Sequence, residues 1–427
     1  MSVRAAIPTL PARYEHPSMR SADAPVTGGA LGTRLPMWLQ LTLLYAVSRV
    51  VTTVIMLLFA RAQESTWQTP SPQPDYVTFA NLWDAKWYLS IGYNGYPTEL
   101  PVDAATGKVT ENAWAFMPVY PLLVRAVSTL TTLPFQHAAV LVSLVAGLGV
   151  AFALHRLLQP MVGERTSLFA VALVMFGPVS PMFQVGYAEA LHFWMLCELL
   201  IYLRDRRWLA MMPLVALASL TRPTGLAWAF ALLLVILYRY YNSLVRRVER
   251  FDVREQREAW GVAVFSGVMG LAWLALCGVV TGRPFGYLET EFAWRDWYVE
   301  GATTPPFTAW FYAAKFWSGQ PIGAFAVTAM VVTVVGVVVW FASPVMRRFG
   351  PELTAWGVAY FSYIFAVFFP QSSTFRMLFP MFPAAAAPLA LPKSPLYRVL
   401  VLLGGVVLQV VWIRYMWFVS GHDWTAP

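Results

Sequence analysis

The residues best suited to chemistry lie in one aromatic stretch, Asn81-Leu82-Trp83-Asp84-Ala85-Lys86-Trp87-Tyr88, and in three charges at the ends of later apolar runs, Glu189, Arg222 and Arg376. Asp84 is a carboxylate able to take a proton from a hydroxyl. Tyr88 follows it at i+4, and Trp83 and Trp87 have the same spacing, so on a helix each pair shares a face. Lys86 supplies an opposite charge beside the carboxylate. Arg222 sits in Thr221-Arg222-Pro223-Thr224-Gly225, where proline and glycine break the helix and free backbone groups. Arg376 follows Pro370-Gln371-Ser372-Ser373-Thr374 at a similar depth. A guanidinium suits bidentate contact with a phosphate better than an ammonium does. Glu189, after Tyr187 and Ala188, stands at the edge of apolar sequence, where an unpaired charge is costly. It either orients an acceptor, pairs with Arg222, or starts a helix whose dipole favours an acid.

One carboxylate and two arginines suit the movement of a sugar from a lipid phosphate to a hydroxyl. That reaction needs a base for the hydroxyl proton and cations for the departing phosphate. It does not need the second carboxylic acid that a glycosidase uses to protonate a poor alkoxide leaving group.

Other chemistries lack their handles. The five histidines form no HExxH, and Cys197 and Cys277 lie in apolar runs without a CxxC partner, so no metal site is indicated and the thiols read as small buried hydrophobes. There is no phosphate loop, no Asp-x-Asp, and Gly147-Leu148-Gly149 lacks the third glycine of a dinucleotide fingerprint. No cofactor is therefore expected. The net charge of +8 falls in short basic clusters between apolar runs, a pattern of membrane topology and not of nucleic-acid binding. Arginine greatly outnumbers lysine, which occurs only at Lys86, Lys108, Lys315 and Lys393; with heavy Ala and Val use this points to a GC-rich bacterial genome and a plasma membrane.

The elements that position these groups are membrane helices. With 58% of residues hydrophobic and 12% charged, about half the usual charged share, the chain cannot clothe a water-exposed domain of its size. The expected architecture is an all-α polytopic membrane protein with about eleven spans. Long runs lie near 36–60, 137–157, 166–184, 260–281, 321–343 and 397–419; shorter ones lie near 187–203, 208–221, 224–238, 353–369 and 375–391. Residues 1–35 read as a disordered cytoplasmic tail, 36–419 as a single transmembrane domain and 420–427 as a short extracytoplasmic tail. If 116–133 is an interfacial helix, every basic cluster falls on the cytoplasmic side: Arg156 with Arg165, Arg204 with Arg206 and Arg207, the segment 239–258, Arg347 with Arg348, and Lys393 with Arg398. The segment 239–258 is expected to touch anionic headgroups. Two long loops, 61–115 and 282–320, then lie outside together with Asp84, Glu189, Arg222 and Arg376. The second loop mixes Glu289, Glu291, Trp294, Arg295, Asp296 and Trp297, as acceptor surfaces and aromatic belts both do. Arg49, within the first span, needs a partner that the sequence does not identify, and His192 reads as an interior histidine.

Taken in order, Trp83-Asp84-Ala85, Ile91-x-x-x-Gly95-Tyr96, Phe116-x-Pro118-x-Tyr120-Pro121, Tyr187-Ala188-Glu189 and Ser219-Leu220-Thr221-Arg222-Pro223-Thr224-Gly225 resemble the PIG-V-type mannosyltransferases of the GT-C class. These are relatives of the enzyme that adds the second mannose to GPI anchors. The resemblance covers roughly residues 36–240. It implies a GT-C-like fold, a polyprenyl-phosphate-mannose donor, inverting transfer to a glycan or glycolipid acceptor on the extracytoplasmic face, and independence of metal. Asp84 falls where the family has its catalytic base. Arg222 and Arg376 are expected on the donor phosphate, and Glu189, Tyr88, Lys86, Trp87 and Tyr187 around the acceptor. The chain departs from the family pattern at Lys86. Two other readings share these features: a transporter or flippase of a lipid-linked substrate, and a GT-C enzyme using another polyprenyl-phosphate sugar. A transporter would carry its polar groups near midspan, whereas these gather at one outer level.

Overall fold

In lipid, backbone groups must bond within their own segment, so apolar runs of this length become helices. A computed structural model of the protein describes residues 35–296, 298, 299, 304–319 and 323–420. The expected N-terminal tail through residue 34, the end of the chain from 421, and Trp297 lie outside the described residues. Among those described the protein is all helical, with one isolated β-bridge between Val102 and Val109.

Seventeen α-helices follow in order: α1 (Met37–Ala62), α2 (Tyr76–Phe79), α3 (Ala85–Asn94), α4 (Val119–Thr131), α5 (Phe135–Val162), α6 (Glu164–Met175), α7 (Glu189–Arg204), α8 (Trp208–Ser219), α9 (Gly225–Tyr240), α10 (Val253–Thr281), α11 (Gly286–Ala293), α12 (Ala309–Ser318), α13 (Ala324–Ala342), α14 (Gly350–Val367), α15 (Thr374–Met377), α16 (Phe382–Leu389) and α17 (Pro395–Trp412). Each of the eleven apolar runs contains helix among the described residues. Among the described residues five helical segments are long and apolar enough to cross a bilayer alone, and α13 and α14 together have that length and character but bend by 58° at the break between them. The run expected over 166–184 breaks after Met175 at Gly177-Pro178, and that over 375–391 breaks at Pro380, so neither is one continuous span. Leu396, Val399, Leu400, Leu403 and Val407 on α17 are exposed, an apolar face suited to lipid. The protein is a multi-pass membrane protein.

Buried polar groups explain how the breaks are tolerated. Arg49, in the middle of α1, donates to the Met175 and Ser180 carbonyls, to Ser180 Oγ and to Gln184 Oε1 at 3.0 Å. The partner of this membrane-embedded arginine is thus the unwound segment after α6 and not a carboxylate. Gln409 of α17 accepts from Thr52 at 2.8 Å and donates to the Phe176 carbonyl at 2.9 Å, tying the same break from the other side.

The two ends of α7 differ in kind. Glu189 begins it; at the other end Arg204 donates to the Leu157 carbonyl at 3.0 Å, and nearby Arg206 and Arg239 pair with Glu249 and Glu255. Arg239 is buried by these carboxylates, so within the segment 239–258 it faces protein and not the headgroups expected of it. A helix of this length separates its ends by roughly 22 Å.

Candidate active site

Four charges from four separate segments meet in a line. Arg376 Nη1 donates to Asp84 Oδ2 and, at 3.2 Å, to Glu189 Oε1; Arg222 Nη1 donates to the same Glu189 oxygen at 2.6 Å. Side-chain exposure is 15% for Asp84, 6% for Arg376, 2% for Glu189 and 14% for Arg222, so the ends of the line are the accessible members. Two acids and two bases make the site formally neutral. Burial is the largest influence on Arg222 and lowers its pKa, but the Glu189 carboxylate together with Tyr88 and Tyr360 more than offsets it and holds the guanidinium above its ordinary value.

Local structure presents Asp84 unusually. Trp83 adopts a left-handed conformation with φ of 55°, which a bulky residue avoids unless its surroundings impose it. Here Trp83 Nε1 donates to the Trp417 carbonyl at 2.9 Å, and Trp417 Nε1 donates to the Phe79 carbonyl at 2.8 Å. That exchange pins the chain just ahead of α3. Asp84 becomes the N-cap residue, yet its side chain makes no capping bond, and its backbone N–H donates to the Tyr187 hydroxyl at 3.0 Å. A capping aspartate normally turns its carboxylate onto the helix N–H groups; this one is left for Arg376.

The other members are positioned by packing. Tyr360 donates to the Met377 carbonyl at 2.7 Å and Trp356 to the Pro380 carbonyl at 2.9 Å, which fixes the segment carrying Arg376 against α14. Ser143 holds the Tyr187 carbonyl at 3.2 Å, and the Arg376 guanidinium lies over the Tyr187 ring, 5.2 Å from its centre. Below Glu189, Phe183, Phe193 and Phe379 pack with ring centres 4.8 to 6.1 Å apart. The turn bearing Arg222 is held where α9 meets α10: a Cβ on Gly225 would come within 2.6 Å of the Gly270 Cα, so only glycine permits the approach. His192 bonds Thr224 at 3.0 Å, an interior contact as expected.

Some expected residues take other places. Lys86 donates to the Gln68 carbonyl at 3.1 Å and lies 5.8 Å from the centre of the Trp67 ring; the cation beside Asp84 is Arg376. The shared face of Trp83 and Trp87 is not formed, because α3 starts only at Ala85. Trp87 stacks on Phe116 at 5.8 Å, and Trp294 of the second loop meets both rings edge-on at 5.8 Å. Tyr88 is buried against Tyr120, Phe116 and Tyr187. In the second loop Asp296 pairs with Lys108 and Glu289 with Arg283, both at 3.1 Å, while Arg295 donates to Thr304 at 3.1 Å. Glu111, which sequence reasoning passed over, stands within the field of Asp84; its partial burial and that neighbouring charge both raise its pKa. Its position in a loop without spacing cues gave no signal.

Two buried polar atoms of the line, Glu189 Oε2 and Arg376 Nε, have no hydrogen-bond partner among the described residues. One accepts and the other donates, so together they fit a ligand bearing both a hydroxyl and an anionic oxygen. Among the described residues no group of three or more metal-ligating side chains gathers.

No family model matches the chain, and no curated protein does. Among solved structures it is similar to the crystal structure of the oligosaccharyltransferase of Archaeoglobus fulgidus in complex with zinc and sulfate, with 12% identity over 86% of this chain and 52% of that one, and a TM-score of 0.44. The chain therefore spans about half the length of that protein.

Proposed function

We propose that the protein is a GT-C-type membrane glycosyltransferase that moves mannose from polyprenyl-phosphate-mannose to a glycan or glycolipid acceptor on the extracytoplasmic face, with inversion. The observation that carries this reading is the line of Asp84, Arg376, Glu189 and Arg222, with one accessible carboxylate and orphaned polar atoms of both kinds at its centre.

Each residue then has a task. Asp84 takes the proton of the acceptor hydroxyl as its oxygen attacks the anomeric carbon. The bond from that carbon to the phosphate oxygen breaks, and its electron pair leaves with the polyprenyl phosphate. Arg376 and Arg222 receive the developing phosphate charge, a role that fixed guanidinium groups perform best in a site shielded from water. Before the donor arrives Arg376 holds Asp84; a phosphate competing for Arg376 loosens that bond and frees the carboxylate to act. Glu189 joins the two arginines and holds them in place, and its second oxygen accepts from the acceptor. Attack from the Asp84 side, opposite the phosphate, inverts the anomeric configuration.

The test is transfer by purified protein across a panel of polyprenyl-phosphate sugars with membrane-extracted acceptors, repeated with Asp84→Asn. The amide keeps the bond from Arg376 but cannot take a proton, so folding persists and transfer falls about 10²–10⁴-fold. Near-normal turnover by that variant would remove Asp84 as the base, and activity with a different sugar alone would reassign the donor.

A further inference from the structure

A groove of about 640 Å³ runs along one side of α7, away from the charged line. Its apolar wall is Leu191, Trp194, Met195, Ile201 and Leu214. The α7 members recur at helical spacing, and Trp194 lies flat on α5 because Gly149 has no side chain to obstruct the ring. From Leu191 to Arg204 the wall is about 20 Å long at 1.5 Å per residue, enough for an acyl chain to run from the headgroup level to the bilayer midplane, a depth of about 15 Å.

The other end of the groove is polar and has one positive charge in excess. Three arginines, Arg156, Arg204 and Arg207, line it against two carboxylates, Glu198 and Asp205. Arg156 is paired with Glu198 and Arg204 with Asp205. Arg204 also donates to the Arg156 carbonyl at 3.4 Å, a group left without its helical partner because Pro160 has no N–H to offer. Arg207 is different: its guanidinium lies 4.9 Å from the centre of the Tyr202 ring, is exposed, and has no carboxylate within 4.0 Å among the described residues.

We propose that this groove binds one anionic phospholipid of the surrounding bilayer, with its phosphate on Arg207 beside the Tyr202 ring and one acyl chain against Leu191, Trp194, Met195 and Ile201. Charge selects the occupant. A zwitterionic lipid brings no net charge to meet the surplus guanidinium, whereas an anionic one neutralises it, and a phosphodiester offers the two acceptor oxygens that a guanidinium engages together. The site is independent of the sugar-transfer reading, since none of its residues belongs to the line of Asp84.

The experiment uses the full chain in neutral detergent and titrates in phosphatidylglycerol or phosphatidylcholine with identical brominated acyl chains. Quenching of Trp194 is read as the difference between wild type and Trp194→Phe. Phosphatidylglycerol is expected to quench at a lower mole fraction than phosphatidylcholine, and Arg207→Gln to raise its midpoint roughly fivefold while leaving phosphatidylcholine unchanged. Leu214→Phe, which narrows the groove without adding an emitting indole, is expected to weaken quenching by both lipids. Should that variant fail to fold, the surface change Arg207→Gln still decides the matter. Equal quenching by the two lipids, or no response to Arg207→Gln, would reduce the groove to ordinary lipid contact and overturn the proposal. Displacement of phosphatidylglycerol by a lower mole fraction of polyprenyl phosphate would also overturn it, by making the occupant a substrate lipid.

Discussion

Asp84 occupies a helix N-cap without capping the helix, and that is what makes its carboxylate available. Its guanidinium partner also contacts Glu189, so the geometry of Arg376 matters as much as its charge. One nitrogen, Nη1, contacts both carboxylates and Nε is left for a ligand, so Arg376→Lys keeps the charge but loses the further donors of the guanidinium, and is expected to lower transfer at least tenfold. Lys86→Met, which touches only the Gln68 carbonyl and the Trp67 ring, is expected to stay within a few-fold of wild type. Rates in the reverse order would return the partnership with Asp84 to Lys86. Arg222→Ala is expected to raise the KM for the lipid donor more than that for the acceptor, since Arg222 lies at the other accessible end of the line. A selective rise in the acceptor KM would move it to that subsite. Asp84, Arg222, Arg376 and Glu189 could each be picked out in sequence by their charge at the edges of apolar runs. Their partnerships could not: Arg376 and Asp84 are separated by nearly three hundred residues, and no local spacing encodes a contact at that range.

At the scale of elements, the site depends on short, broken helices held by hydrogen bonds to free carbonyl groups. Arg49 and Gln409 together satisfy the unwound chain after α6, and the Gly225–Gly270 approach fixes the turn that carries Arg222. Gly270→Val would force α9 and α10 apart, with an overpacking cost of about 1–3 kcal/mol. The expected result is a lower thermal midpoint in detergent together with an elevated donor KM, because the Arg222 turn moves with α9. An unchanged midpoint would show that the two helices do not need this contact. Helical character was legible wherever apolar residues ran on. The breaks at Gly177-Pro178 and Pro380 were legible only as composition, because whether a proline ends a span depends on who receives the freed carbonyls.

At the scale of the whole molecule, charge is divided between the two ends of the helices. The reading with Asp84 outside the cell and the basic clusters inside can be checked on both faces. Cys197 and Cys277 are buried, so labelling of an introduced cysteine stands out. Thr106→Cys, in the exposed first loop, is expected to react with a membrane-impermeant maleimide in intact cells, and Arg246→Cys only after permeabilisation. The opposite pattern would invert the topology and place the charged line in the cytoplasm.

Composition and periodicity alone specify an all-helical membrane protein, the places of its apolar runs, and the few charges left over once the basic clusters are set aside. Those are properties of composition and periodicity, which burial in lipid makes nearly obligatory. The folded arrangement is what gives Asp84 to Arg376 and not to Lys86, joins Glu189 to two arginines, and sets Arg49 on an unwound backbone. Such pairings follow from which helix ends pack together. That choice is made by shape and by the need to satisfy every buried polar group at once, and neither is written in any one segment.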